Sequence, residues 1–291
     1  MINFQLHTLG GKQFWQDKTI FAGWRVQKNI LSGHARLLDA ENKRMAWGSY
    51  AHCQQQFNRY KLTNKIRPRS QHLALMVHGI TRSTGTFSAM KRALIKAGYD
   101  AVAISYPSTR QTIEQHALAL TELINRLEGY TTISFVTHSM GGLILRHVLA
   151  AKPLWQKTIN LGAVVMIAPP NQGSVLAELV KNNILYKLIY GKSGQQLDPG
   201  KVKDMPMTKN IRLLIIAGRK RNGVRFNPIW DGDNDGTVKV SETILNGYGL
   251  PLIIPARHTA ILKHPDTIKA TVNYLLNHKS TRTTLKKGDL K

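Results

Sequence analysis

Ser139 stands in the segment Thr137-His138-Ser139-Met140-Gly141-Gly142, between the apolar run Thr132–Val136 and the helix-forming run Gly142–Ala151. A serine at a sharp turn from strand to helix has its hydroxyl presented above the sheet, and small neighbours let strand and helix approach. Gly141 and Gly142 meet that need. Thr137 stands where such turns commonly carry glycine, and its branched Cβ is larger than a hydrogen. The plainer reading is a serine that caps the helix, a frequent task for this residue. A hydroxyl is a weak nucleophile at neutral pH and needs a base within reach, itself held by a third group. Downstream lies Asp231-Gly232-Asp233-Asn234-Asp235-Gly236-Thr237-Val238, and after Leu252–Pro255 comes His258. Asp235 is the expected acid because its Asp-Gly-Thr-Val turn leads into a short helix; Asp233 and Asp231 are the substitutes. His258 is the expected base among eleven histidines, selected by its place after the acid-bearing turn and the last strand. His264 is the fallback, and His147, in the helix after Ser139, is expected to point elsewhere.

These residues need a scaffold, and from residue 72 the chain supplies a regular one. Short apolar runs recur at Leu73–Val77, Asp100–Ser105, Thr132–Val136, Leu161–Ala168, Ile211–Ala217 and Leu252–Ile254. Helical segments fall between them, at Phe87–Ala97, Thr112–Leu127 and Gly142–Ala151, with a terminal helix at Thr267–His278. In the second of these, Ile113, Ala117, Leu120, Ile124 and Leu127 share one face. Continuous apolar strands alternating with helices predict an α/β fold: a mostly parallel central sheet covered by helices on both faces. Residues 1–71 read as an N-terminal extension. Trp24–Leu38 is expected as a strand, Arg44–Tyr50 as its hairpin partner, Ala51–Leu62 as a helix and Lys65–Gln71 as a basic linker. Residues 72–278 form the expected main domain, with a small cap around 171–210, and 279–291 a basic tail. The apolar-rich stretch Val175–Tyr190 serves either as part of a cap or as a helix packed on the sheet.

The His78-Gly79 loop, the Thr-His-Ser-Met-Gly-Gly turn, the Asp-Gly-Thr-Val turn and His258-Thr259-Ala260 recur in that order in the lipase-like branch of the α/β-hydrolase superfamily, which the chain resembles over roughly residues 72–278. The segment Ala168–Ser174 (APPNQGS) also resembles the P-x-x-G-S segment of bacterial lipases and GPI-inositol-deacylase-like proteins. The resemblance implies a nucleophile, acid and base in the chain order Ser139, Asp235, His258. It implies an oxyanion hole made by the backbone amides of Ile80 and Met140, with His78 organising its loop. It further implies hydrolysis of carboxylic esters, often acyl lipids, without an organic cofactor. Acyl transfer and thioester cleavage at the same site are the enzymatic alternatives, and an inert, basic membrane- or nucleic-acid-binding scaffold is the non-enzymatic one. One fold hosts many activities, so the substrate is left open.

The acidic turn also fits a calcium-loop spacing: Asp231, Asp233 and Asp235 at positions 1, 3 and 5, Gly236 at 6, Val238 at 8 and Glu242 at 12. The approach, with Asn222-Gly223 and Pro228, is a poor entering helix, and Lys239 is a poor ligand at position 9. No metal is therefore expected here.

The chain of 291 residues carries 41 Lys and Arg against 16 Asp and Glu, a formal net charge of +25. Residues 1–70 hold 12 of the basic and 3 of the acidic residues, so the excess is spread along the chain. No zinc finger, RNA-recognition signature or basic heptad pattern accompanies it, so no specific nucleic-acid partner is expected. A solvated basic surface or peripheral contact with anionic membranes are the readings left. The single cysteine, Cys53, excludes an intramolecular disulfide framework. The longest apolar run, Ala163–Ala168, is far short of the roughly 20 residues of a membrane span. With no signal-like pattern in MINFQLHTLGG, the expected location is the cytoplasm, with peripheral membrane contact.

Overall fold

The computed structural model describes residues 8, 13–180, 183, 190–202, 205, 206, 208–220 and 232–278; for 178–180 it describes the backbone alone. The expected basic tail and Asp231 lie outside the described residues. Ahead of the main sheet run four antiparallel strands paired in sequence order: β1 (Trp15–Phe21), β2 (Trp24–Asn29), β3 (Ala35–Leu38) and β4 (Arg44–Gly48). Helix α1 (Tyr50–Thr63) follows, capped by the Ser49 side chain. The stretch expected as one strand, Trp24–Leu38, is therefore two. Asn29 breaks it: its Oδ1 accepts from the amides of Leu31 and Ser32 at 2.9 and 3.1 Å, and Gly33 turns at φ +71°. β1 carries no sequence expectation because Gln16 and Asp17, both buried, interrupt its apolar alternation. Phe21, Val26, Leu37, Cys53 and Phe57 close a small core between this sheet and α1.

The main sheet holds β5 (His72–Val77), β6 (Asp100–Ala103), β7 (Thr132–His138), β8 (Asn160–Ile167), β9 (Leu213–Gly218) and β10 (Leu252–Ile254). Their order is β10-β9-β8-β7-β5-β6, every neighbouring pair parallel. Side chains alternate along a strand, so Leu73, Leu75 and Val77 of β5 enter one core while Ala74 and Met76 enter the other. Helices α3 (Ile113–Asn125) and α4 (Met140–Ala150) cover the first face, with Leu120, Leu123, Ile144 and Val148. Helix α2 (Ser88–Lys96) and the helix Pro265–Asn277 cover the second, with Met90, Leu94 and Leu275. Gly98, at φ +82°, turns the chain out of α2. No helix among the described residues is long and apolar enough to cross a membrane.

The small sheet is fastened to the large one just past the edge strand β6. The Asp17 amide donates to the Ser105 carbonyl at 2.9 Å, and the Asp17 carboxylate accepts from the Ser105 amide at 2.8 Å, Gln27 Nε2 at 2.7 Å and Arg25 at 3.3 Å. Arg25 also donates to the Ala103 carbonyl. Asp17 and Arg25 are 2 % and 3 % exposed, so removing one leaves the other as a buried, uncompensated charge. Asp17→Ala is expected to cost about 3–5 kcal/mol. Denaturant titration checks this, and the double variant Asp17→Ala, Arg25→Met should recover part of the loss.

Candidate active site

β7 ends at His138, α4 begins at Met140, and Ser139 alone makes the turn, at φ 53° and ψ −129°. Left-handed backbone is strained for a residue with a Cβ. A capping serine has extended backbone and a side-chain bond into the first turn. Ser139 has neither, because its side chain caps nothing. The turn is held by the Ser139 amide donating to the Ile167 carbonyl and the Gly142 amide donating to the Ser139 carbonyl, both at 2.9 Å. The glycines act at different points. A Cβ on Gly141 would sit 2.4 Å from the Val77 carbonyl oxygen, so α4 approaches the end of β5 only with glycine there. A Cβ on Gly142 would sit 3.1 Å from Pro169 Cβ, so this glycine eases the packing of α4 against the segment after β8.

Asp235 and His258 come together across 23 residues. His258 Nδ1 lies 2.7 Å from Asp235 Oδ2, and the His258 amide donates to the Asp235 carbonyl at 2.9 Å. Asp235 Oδ1 accepts from the amides of Thr237 and Val238 at 2.9 and 2.8 Å. The carboxylate thus accepts on both oxygens, with the imidazole donating to it from Nδ1, and Nε2 is the ring nitrogen this pair leaves unused. Gly218, at the end of β9, is a feature the sequence reading passed over: a Cβ there would lie 2.5 Å from the Ala256 carbonyl oxygen and 2.8 Å from Asp235 Cβ. The alternatives sit elsewhere. Asp233 pairs with Arg219 at 2.9 Å, and His264 caps the helix Pro265–Asn277. His147 is absent from the lining of the cavity that holds Ser139 and His258.

That cavity has a volume of about 390 Å³. Ile80, Pro170, Leu176, Ala177, Leu197 and Val238 form its apolar wall. Of the Val175–Tyr190 candidate, α5 (Val175–Val180) is described, and Leu176 and Ala177 face the cavity; Ile184, Leu188 and Ile189 lie outside the described residues. Gly79 lets the loop after β5 approach the serine, since a Cβ there would be 3.0 Å from Ser139 Cβ. Ile80 and Met140 flank Ser139 from this loop and from α4, and among the described residues neither amide has a protein acceptor.

Two buried histidines organise the surroundings. His78 stacks on Tyr106 with ring centroids 4.2 Å apart and donates from Nδ1 to the Gly79 carbonyl at 2.8 Å. Burial pushes its pKa down to about 4, so it stays neutral. His138 Nε2 donates to the His258 carbonyl at 2.9 Å. Burial, and next the neighbouring His258, hold its pKa well below the ordinary range.

Glu242, the twelfth position of the calcium-like spacing, is engaged otherwise. Its Oε1 accepts from the Val175 amide and its Oε2 from the Lys239 amide, both at 2.8 Å. It therefore ties the start of α5, a cavity wall, to the acid-bearing loop. With Asp233 on Arg219 and Asp235 on His258, these carboxylates are not assembled around one point, and the described residues contain no group of three or more His, Cys, Asp or Glu fit to hold a metal. Arg146, unremarked in the sequence, is a buried clamp: it donates to the carbonyls of Asn171 at 2.9 Å and Met205 at 2.6 Å. The signal was one cation within the apolar helix GLILRHVLA.

A family model described as a domain of unknown function, DUF7379, matches residues 42–212. No curated protein matches the chain. Among solved structures, the chain is similar to the mature form of the Bacillus licheniformis lipase BlEst2, with 20% identity and a TM-score of 0.56 over 69% of this chain and 91% of that one. It is also similar to a metagenomic carboxyl esterase, at 17% identity and a TM-score of 0.58 over 72% of this chain and 75% of that one. These likenesses show the α/β-hydrolase fold, as expected from the motifs.

Proposed function

The chain belongs to the DUF7379 family, whose description assigns no activity, and we propose from its site that it is a serine hydrolase cleaving carboxylic esters of acyl-lipid type. One observation carries the reading. Ser139 is held in left-handed backbone with an uncapped side chain, in the same cavity as a histidine bonded to a buried carboxylate. In the proposed reaction His258 Nε2 takes the proton of Ser139 Oγ as that oxygen attacks the ester carbonyl. Asp235 keeps the imidazole in the required tautomer and stabilises its cation. The Ile80 and Met140 amides, which have no other acceptor among the described residues, bind the oxyanion. The protonated imidazole gives its proton to the leaving alcohol, and water then attacks the acyl-enzyme under the same base. The apolar wall supports an acyl chain as the bound group.

The test is covalent labelling with a fluorophosphonate together with hydrolysis of p-nitrophenyl butyrate. One label, on Ser139, and measurable turnover are expected; a chain that neither labels nor turns over is an inert scaffold. The net charge of +25 supports peripheral contact with anionic membranes. Binding to phosphatidylglycerol vesicles is expected to weaken steeply above roughly 0.15 M salt, where the Debye length is about 8 Å. Equal binding to neutral vesicles would count against it.

A further inference from the structure

We propose that Arg82 makes the Ser139 cavity selective for esters that carry an anionic group, a phosphate or a carboxylate, close to the scissile carbonyl. This rests on the ester-hydrolase reading of the same site.

Among the described residues that line the cavity, Arg82 is the one permanently charged side chain, and no Asp or Glu joins it. The guanidinium is exposed and has no carboxylate partner among the described residues. An exposed arginine on a basic chain is ordinarily a solvated charge. This one differs in its place, at the cavity that holds Ser139 and His258, and in how firmly its backbone is held. The Arg82 amide donates to the Gly79 carbonyl at 3.2 Å, and its carbonyl accepts from Gln13 Nε2 at 3.3 Å. The Thr81 amide donates to Ser108 Oγ at 3.0 Å, and Ser108 Oγ donates to Gln13 Oε1 at 3.1 Å. Gln13 Oε1 also accepts from the amide and hydroxyl of Thr109. The segment ahead of β1 thus ties the loop after β5 to the loop after β6, and the cation is carried on that tied loop.

Arg82 lies two residues beyond Ile80, whose amide is the proposed oxyanion donor. Arg82, Ile80 and Ser139 line one cavity, so a substrate with its carbonyl at Ser139 occupies the same space that the arginine borders. Guanidinium groups take phosphate and carboxylate in paired, charge-assisted hydrogen bonds. The +25 of the chain raises the local concentration of anions. The anionic group has two sources: a freely diffusing ester and a lipid headgroup in a membrane.

The test compares 1-butyrylglycerol with 1-butyrylglycerol 3-phosphate, which share the acyl chain and scissile ester and differ in the phosphate. The expected kcat/KM ratio favours the phosphate ester by about ten- to a hundredfold, the worth of one charge-assisted hydrogen bond. Arg82→Gln should bring the ratio near one, and Arg82→Glu should reverse it; the ratio cancels any loss common to both substrates. A parallel arm uses vesicles of phosphatidylglycerol and of phosphatidylcholine. An Arg82-dependent preference in the soluble pair assigns a diffusing anionic ester, and one confined to vesicles assigns the lipid headgroup. Absence of preference in both arms, or a preference that survives Arg82→Gln, overturns the proposal. Calorimetry with Ser139→Ala protein and 1-butyrylglycerol 3-phosphate reads the anion site without turnover. Adding Arg82→Gln should weaken that binding at least about tenfold, and unchanged affinity would also overturn it. Arg82-dependent binding with no hydrolysis of any ester would sink ester cleavage while leaving the anion site standing.

Discussion

Ser139→Ala should abolish fluorophosphonate labelling and lower ester turnover by up to about a millionfold, the scale seen when a serine nucleophile is deleted. The melting temperature should stay nearly unchanged. Ser139 Oγ takes no part in capping α4, and the backbone bonds to Ile167 and from Gly142 involve main-chain atoms that alanine keeps. Alanine meets the same left-handed strain as serine, so the substitution removes the nucleophile without a new backbone cost. Activity and thermal melting on the same preparation check both halves. Retention of most turnover would end the reading of the turn as a nucleophile site.

The second large effect is at Asp235. Asp235→Asn should reduce kcat by about 10⁴ by analogy with serine proteases. The asparagine oxygen can still accept from the Thr237 and Val238 amides, which keeps the loop in shape. Its Nδ2 then faces His258 Nδ1, where the carboxylate Oδ2 now stands at 2.7 Å. Two donors cannot face each other, so the ring moves its proton to Nε2, the atom that has to act as base. Asp233→Asn removes the charge from the exposed pair with Arg219, its side-chain partner among the described residues, and should cost about 0–1 kcal/mol of stability with near-normal turnover. The comparison separates the two carboxylates. Near-normal turnover in Asp235→Asn with a large loss in Asp233→Asn would move the acid to Asp233.

Periodicity is a local property, and the elements it governs were legible. Six apolar runs became six parallel strands because continuous burial leaves a continuous apolar record. The Ser139 turn was equally readable, since strand, serine, glycines and helix lie within one contiguous stretch. The order of Ser139, Asp235 and His258 along the chain, with Ser139 and His258 each just past a strand, pointed to the end of the sheet where the structure brings Ser139 and His258 into one cavity. Four kinds of feature lay beyond that reach. β1 was hidden because its buried Gln16 and Asp17 look, as residue types, like solvated ones. Only the fold reveals that Asp17 meets Arg25 and the Ser105 amide, 88 residues away. Glu242 fitted a calcium spacing by sequence, yet folding gives both its oxygens to the amides of Val175 and Lys239. Gly218 was needed for a backbone approach between segments far apart in the chain. Gln13, Ser108 and Arg82 carried no pattern at all, because a hydrogen bond spanning 95 residues has no period. Local chemistry and apolar repetition thus determined the elements and the serine turn. Tertiary structure decided which polar side chains are buried, what each one holds, and which single cation stands among the described residues of the cavity wall, because those outcomes depend on distances that close only when the chain folds.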